Sequence, residues 1–364
     1  MKIAVYAIAK NEIKHVDRFV KACQGADSIT ILDTGSTDGT YEMLLQYPVE
    51  AHRANLSPFR FDVARNMALD LVPADADICV SLDLDEIPNP DLFDKLREQW
   101  KPDTGRAWVM WDTGNIWGNN LRVHARNGYR WKYPCHEITY PLNPPENEIV
   151  VESLVVHDPD NDKSRGSYLD LLELGHAEDP NDHRMLVYLI REYYFHKRWQ
   201  DVIDHVKKLE LQTGGWNVEL ANSYRAAGDA YVALGDKETG LKYLWKNADT
   251  APNDLEAWLP LAHFYYTEEQ WQDCYDAAIK VTELSLESRN HYVADESMPW
   301  RLFDLLGIAC WNLGKRGSAK KYSRMAYELN PDEQRLKDNY DFIVKQTAKE
   351  YKNGLQNGLS DAGL

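Results

Sequence analysis

Asp83, Leu84, Asp85 and Glu86 follow directly on a mostly apolar run, Ile78-Cys-Val-Ser-Leu82. Such a run reads as a buried strand, and Pro88 and Pro90 bar it from continuing. In open α/β sheets, ligands bind beyond the carboxyl ends of the strands. In extended backbone Asp83 and Asp85 alternate around apolar Leu84, so both carboxylates face one side. Paired carboxylates there suit a hard divalent cation that also bridges phosphate oxygens. The plainer alternative is an acidic strand exit, since a lone Asp-X-Asp is common.

Three other stretches place polar residues beside such a site. Lys10-Asn11-Glu12 cuts off the apolar run Ile3 to Ala9. Asp33-Thr-Gly-Ser-Thr-Asp-Gly-Thr40 reads as a tight turn, with Ser36 or Thr37 placed to cap the next helix. Asp62, Arg65 and Asn66 stand at i, i+3 and i+4 on one helix face, while Val63 and Met67 are expected to hold another face toward the core. Taken singly, these are a helix start, a turn and a surface ion pair. Four stretches in this order at one sheet edge argue for a ligand site. Two later stretches carry further chemistry. Pro134-Cys-His-Glu137 offers Glu137 as a general base, with His136 as its rival, and Val155-Val-His157 ends a strand in a histidine.

The elements that must position these residues follow from the apolar periodicity. Strands at 2–9, 28–32, 49–52 and 78–82 alternate with helices from Glu12, from about Thr40 and over 61–71. A βαβαβαβ order predicts a doubly wound parallel sheet. After a helix at 91–100, shorter strands at 107–111, 121–125, 129–133 and 149–157 predict an antiparallel extension, with a turn at 158–163 and a helix at 167–175 leading out. From Pro180 the chain is helical and repeats. Tyr224 and Trp258 are 34 residues apart, as are Tyr231 and Tyr265, which is the tetratricopeptide period. Tyr231-Val-Ala-Leu-Gly-Asp236 and Trp311-Asn-Leu-Gly-Lys315 read as helix turns of that repeat, with Trp271 in a middle unit and an insertion at 287–299. An irregular helical bundle is the alternative. The expected domains are 1–175, 176–348 and a frayed tail at 349–364.

Composition narrows the partners. With 364 residues, 44% of them hydrophobic, the chain can bury two or three cores. Net charge is −17, with 18 basic against 28 acidic residues up to Gly175 and 23 against 30 beyond. Both parts being acidic argues against nucleic acid or an anionic membrane as partner. Five scattered cysteines without a CxxC pair indicate neither zinc nor a disulfide framework, and a reduced, cytoplasmic setting is expected. No apolar run is long enough for a signal segment or a membrane span.

The first part resembles the family 2 glycosyltransferases of GT-A fold. The matching motifs are Ala9-Lys-Asn-Glu12, Leu32-Asp-Thr-Gly-Ser-Thr-Asp-Gly-Thr40, Phe61-Asp-Val-Ala-Arg-Asn66 and Leu82-Asp-Leu-Asp-Glu86. Fusion to tetratricopeptide-like repeats is similar to a branch that includes bacterial protein or peptide glycosyltransferases. The resemblance implies an inverting hexosyltransferase that uses a nucleotide sugar, a UDP-sugar of the UDP-glucose kind. It implies that Asn11 and Asp33 hold the nucleoside. It extends the donor site over Ala9, Lys10, Glu12, Gly35, Ser36, Asp62, Arg65, Asn66, Asp83 and Leu84, with Arg65 near the diphosphate or sugar. Mn²⁺ or Mg²⁺ would sit on Asp83 and Asp85, completed by His157. The repeats would bind a protein or glycan acceptor, or pair two copies as a homodimer. The alternatives are a sugar nucleotidyltransferase, disfavoured because Gly-rich basic triphosphate loops are absent, and a repeat scaffold with an inactive nucleotide-binding domain.

Overall fold

The computed structural model describes residues 1–112, 117–143, 147–158, 168–212, 217–283 and 298–360. The chain forms two compact units, Met1–Met185 and Leu186–Leu364. The expected turn at 159–163, the start of the following helix at Ser167, Trp216 and most of the insertion at 287–299 lie outside the described residues.

The first unit is built on an eight-stranded mixed sheet. β1 (Ile3–Ala9), β2 (Ser28–Asp33), β3 (Glu50–Arg53) and β4 (Ile78–Ser81) run parallel in the order β3-β2-β1-β4. α1 (Ile13–Ala22), α2 (Thr40–Leu44) and α3 (Phe61–Leu71) connect them. β4 is buried at every residue and β1 at all but one, which is why these runs carry no alternating polar face. Beyond β4 the order continues β7 (Trp117–Ala125), β6 (Thr104–Asp112), β10 (Asn147–His157) and β5 (Glu86–Pro88). The extension is mixed rather than antiparallel throughout. β7 opposes both β4 and β6, but β10 runs parallel to β6. The reason is a separate hairpin, β8 (Tyr129–Lys132) with β9 (Ile138–Pro141), which leaves the sheet and returns the chain in the direction of β6. β5 was not expected either. Pro88 is tolerated because β5 lies at the sheet edge, where a missing N–H breaks no ladder.

Two further differences concern the helices. On α3 the buried residues are Asp62, Ala64, Arg65, Ala68 and Leu69, while Val63 and Met67 face outward. The charged face turns inward because the carboxylates of Asp83 and Glu137 neutralise Arg65, as described below. After α4 (Leu92–Gln99), α5 (Tyr168–Glu178) stays with the sheet: Pro134 packs against Gly175, and Arg60 pairs with Glu178. The units therefore divide after Met185 rather than at residue 175.

The second unit is a row of helical hairpins of tetratricopeptide type. They are α6 (His183–Phe195) with α7 (Trp199–Leu209), α8 (Asn217–Ala233) with α9 (Lys237–Thr250), α10 (Leu255–Thr267) with α11 (Trp271–Glu283), and α12 (Met298–Asn312) with α13 (Arg316–Leu329). α14 (Gln334–Ser360) follows. All four turns share one geometry. Lys197, Gly235, Glu269 and Gly314 have φ of 55°, 92°, 54° and 73°. In each turn the next N–H bonds back to a carbonyl near the helix end: Arg198 to Tyr193, Asp236 to Tyr231, Gln270 to Tyr265 and Lys315 to Cys310. This is the helix stop that a left-handed residue permits. α8 and α9 cross closely at Gly228 and Gly240, where a Cβ on either would lie 3.1 or 3.0 Å from the other's carbonyl oxygen. Among the described residues no helix is long and apolar enough to cross a membrane.

Candidate active site

β1 and β2 end side by side, Ala9 beside Asp33. Each strand leaves into a turn, and the two turns are laced together. The Asn11 side-chain oxygen accepts from the Thr37 N–H at 2.8 Å, the Asn11 N–H donates to Ser36 Oγ at 2.8 Å, and the Glu12 N–H donates to Thr40 Oγ1 at 2.7 Å. Asn11 thus fastens two loops. Lys10 lies over the Phe59 ring. Asp33 is fully buried. Its Oδ1 accepts from the N–H groups of Gly35 and Ser36 at 3.1 Å and from Arg53 Nε at 3.2 Å. Gly35, at φ 102°, makes the turn that aims these donors. Oδ2 is buried and has no hydrogen-bond partner among the described residues. A buried carboxylate oxygen without a donor is costly, and this atom has room in its hydrogen bonding for one more donor.

β4 delivers the acidic motif, but the backbone does not stay extended. The Glu86 N–H donates to the Asp83 carbonyl at 2.9 Å and closes a turn. The two aspartates therefore diverge. Asp83 Oδ1 accepts from Arg65 Nη2 at 2.8 Å and Oδ2 from Arg122 Nη1 at 2.9 Å. Leu84 is buried in the hydrophobic core, so its side chain cannot reach a ligand. Asp85 turns to His157, with Oδ2 3.4 Å from Nε2. The β5–β10 ladder holds that pair: His157 lies opposite Glu86, and the Asp158 N–H donates to the Asp85 carbonyl at 2.9 Å. The bond to Asp85 raises the proton affinity of His157. Among the described residues no three His, Cys, Asp or Glu side chains converge as a metal set.

Behind this pair lies a charge cluster in which acids and bases alternate. Arg65, only 3% exposed, donates through Nε to Glu137 and through Nη2 to Asp83, over the face of Trp131. Arg122 donates to Asp83 and, at 3.2 Å, to Glu86, whose other oxygen accepts from Trp111 Nε1 at 2.9 Å. Burial works against the charge on Asp83, yet Arg65 and Arg122 hold its carboxyl well below the usual carboxylate range. Burial pushes Glu86 upward. Behind the cluster, Tyr6, fully buried, bonds His124 Nε2 at 2.8 Å and accepts from Trp131 Nε1 at 2.7 Å.

The other expected residues divide between the cluster and its supports. Glu137 joins the cluster. The His136 ring lies against Tyr168, and its carbonyl accepts from Arg184. Asp62 accepts both nitrogens of the Arg60 fork and the Val63 N–H. The Asn66 amide pairs with both backbone groups of Trp131 at 2.9 Å. Asp62 and Asn66 therefore hold neighbouring chain rather than facing the site as Arg65 does. Sequence reasoning missed Arg122 and the role of Glu86. The signal for Arg122 was present: in Leu121-Arg-Val-His-Ala125, Arg122 and His124 alternate with apolar residues in a strand flanked by buried ones.

Residues 5–153 match the model of glycosyl transferase family 2. No curated protein sequence matches the chain. Among solved structures the chain is similar to MamA, at 20% identity over 46% of this chain and 89% of that one with a TM-score of 0.37. It is also similar to the APC/C hetero-tetramer Cut9–Hcn1, at 12% identity over 50% and 33% with a TM-score of 0.40. Motif order, sheet order and the family match over 5–153 coincide in the first unit, which carries a family 2 glycosyltransferase domain, the kind that moves sugar from a nucleotide-sugar donor to an acceptor.

Proposed function

We propose that the chain is a metal-dependent, inverting hexosyltransferase that uses a UDP-sugar, of the UDP-glucose kind, and transfers to a protein or glycan acceptor. The observation that carries this reading is the unpartnered, buried Oδ2 of Asp33 at the end of β2. It accepts a hydrogen bond from the nucleoside, a role a base N–H or ribose hydroxyl fills. Across the same sheet edge, Asp85 and His157 would hold Mn²⁺ or Mg²⁺. The carboxylate oxygen suits either ion and the imidazole nitrogen favours Mn²⁺ over Mg²⁺; diphosphate oxygens or water would complete the set. The ion supplies charge neutralisation for the leaving diphosphate. Asp83 is a strut between two arginines rather than a metal ligand. Held there, Arg65 and Arg122 are charge-compensated by Asp83, Glu86 and Glu137, so the charge of the leaving diphosphate would be met chiefly by the ion. Glu137 takes the acceptor's proton, and Arg65 fixes the orientation of its carboxylate. Five free, buried cysteines suit a reducing, cytoplasmic setting.

The test is hydrolysis of a panel of nucleotide sugars with Mn²⁺ and with EDTA, repeated on Asp85→Ala. The expected result is UDP release that needs the metal and is lost in the variant, with the fold kept. Full activity in EDTA or in Asp85→Ala would overturn the metal assignment.

A further inference from the structure

In the second unit a cavity of about 290 Å³ opens between α6 and α8. Its walls are mainly apolar, with Tyr188, Tyr194 and Phe195 on α6 and Ala226 on α8. Phe195 is 63% exposed. Asn222 and Arg225 stand one turn apart on α8 and both line the cavity. Arg225 is unlike its neighbours. Arg198, Arg316, Arg324 and Arg335 each hold a carboxylate. Arg225 has no ion pair among the described residues, and its Nε is shielded from solvent without a hydrogen-bond partner. Asp229, one turn further on, attracts Arg225 without forming an ion pair with it: its carboxylate accepts the Tyr194 hydroxyl at 2.8 Å, and Arg225 lies over the Tyr194 ring at 5.8 Å. Arg191 and Glu219 also line the cavity and cancel in formal charge, which leaves Arg225 as the net charge.

We propose that this cavity anchors a polypeptide segment of the acceptor that presents a carboxylate beside an apolar or aromatic side chain. The guanidinium fork of Arg225, with the Asn222 amide beside it, receives the carboxylate, and the aromatic walls receive the apolar group. The volume suits one or two side chains. A sugar ring fits less well, because a mainly apolar lining leaves most of its hydroxyls unpaired. Assignment of the segment to an acceptor rests on the transferase reading; the binding chemistry does not.

The test uses the full chain and ligand-observed NMR titration. The probes are N-acetylated dipeptide amides that join Leu, Phe or Trp to Asp or Glu, each beside its Asn or Gln counterpart. The carboxylate forms should bind saturably, at least about fivefold tighter than the amide forms, the discrimination a charge-assisted pair gives. Arg225→Gln should abolish that discrimination, and Asn222→Leu should weaken it. Asp85→Ala should leave it unchanged, so that failure of the donor chemistry and failure of this site are told apart. If Arg225→Gln does not fold, by its melting curve, the wild-type carboxylate-to-amide ratio and Asn222→Leu decide. Equal affinity of the two forms, or no saturable binding by any probe, would overturn the proposal. Binding of sialyllactose through Arg225 in place of the peptides would overturn the polypeptide assignment.

Discussion

Asp33→Asn tests the donor site with the smallest change. The substitution keeps the shape, and the side-chain oxygen can still accept from Gly35 and Ser36. What changes is the second position, now an NH₂ group where Oδ2 stood buried without a partner. An acceptor facing the nucleoside becomes a donor, and the charge is lost. A hydrogen bond to a charged group contributes about 1.5–3 kcal/mol, which at about 1.4 kcal/mol per factor of ten predicts UDP binding weaker by between roughly tenfold and a hundredfold. Arg53, which donates to Oδ1 at 3.2 Å, is 38% exposed and keeps Glu42 as a second partner, so loss of the charge should cost the fold little. The assay is calorimetric titration with UDP and Mn²⁺, beside a melting curve for each protein. An unchanged dissociation constant in a folded variant would refute the assignment of Oδ2 to the nucleoside.

Three further outcomes follow from the same geometry. Glu137→Gln removes the proton acceptor and keeps the shape, so transfer should fall by about 10² or more while donor binding is kept; near wild-type transfer would make Glu137 a structural partner of Arg65 and move the test to His136. Burial pushes His124 down to about 4 from an ordinary 6.5, so the unfolded chain takes up a proton at a higher pH than the folded one. The stability His124 lends is whole above pH 6.5 and is lost as pH falls toward 4, by about 3 kcal/mol at about 1.4 kcal/mol per unit; denaturation at a series of pH values should show that slope in wild type and less of it in His124→Gln. Glu269→Gly relieves a left-handed residue, at φ 54°, in the α10–α11 turn; urea unfolding should show a gain of roughly 0.5–1 kcal/mol, and a loss would mean that the Glu269 side chain has a role there.

Much of the fold was legible because its signals are local. The strands at 2–9, 28–32 and 78–82 and the helix at 61–71 are long apolar or periodic runs that burial explains directly. β5 and the parallel pairing of β10 with β6 were not legible, because each depends on where a distant segment returns to the sheet. The repeat was half legible for a related reason. Gly235 and Gly314 announce their turns, but Lys197 and Glu269 adopt the same left-handed geometry without the residue that prefers it. There the tertiary packing of the hairpins overrides a local cost of about 1–2 kcal/mol.

The site shows the limit more sharply. The four motif stretches were visible, yet the expectation that Asp83 and Asp85 act as a pair rested on a strand periodicity that ends at Ser81. One backbone bond, from the Glu86 N–H to the Asp83 carbonyl, turns the chain and gives the two carboxylates different partners. Asp83 could turn inward only because two arginines meet it there, one from α3 and one from β7. A carboxylate buried without them would cost several kcal/mol and would instead take up a proton. The helix face carrying Arg65 was read as a donor-binding face, and Arg122 was not read at all, because the partner they share, Asp83, lies 18 and 39 residues away from them in sequence. Residue types marked the strand ends at which the charged side chains gather. Which acid pairs with His157 and which braces the arginines is decided by charge compensation across the sheet, and that enters only when the strands are assembled.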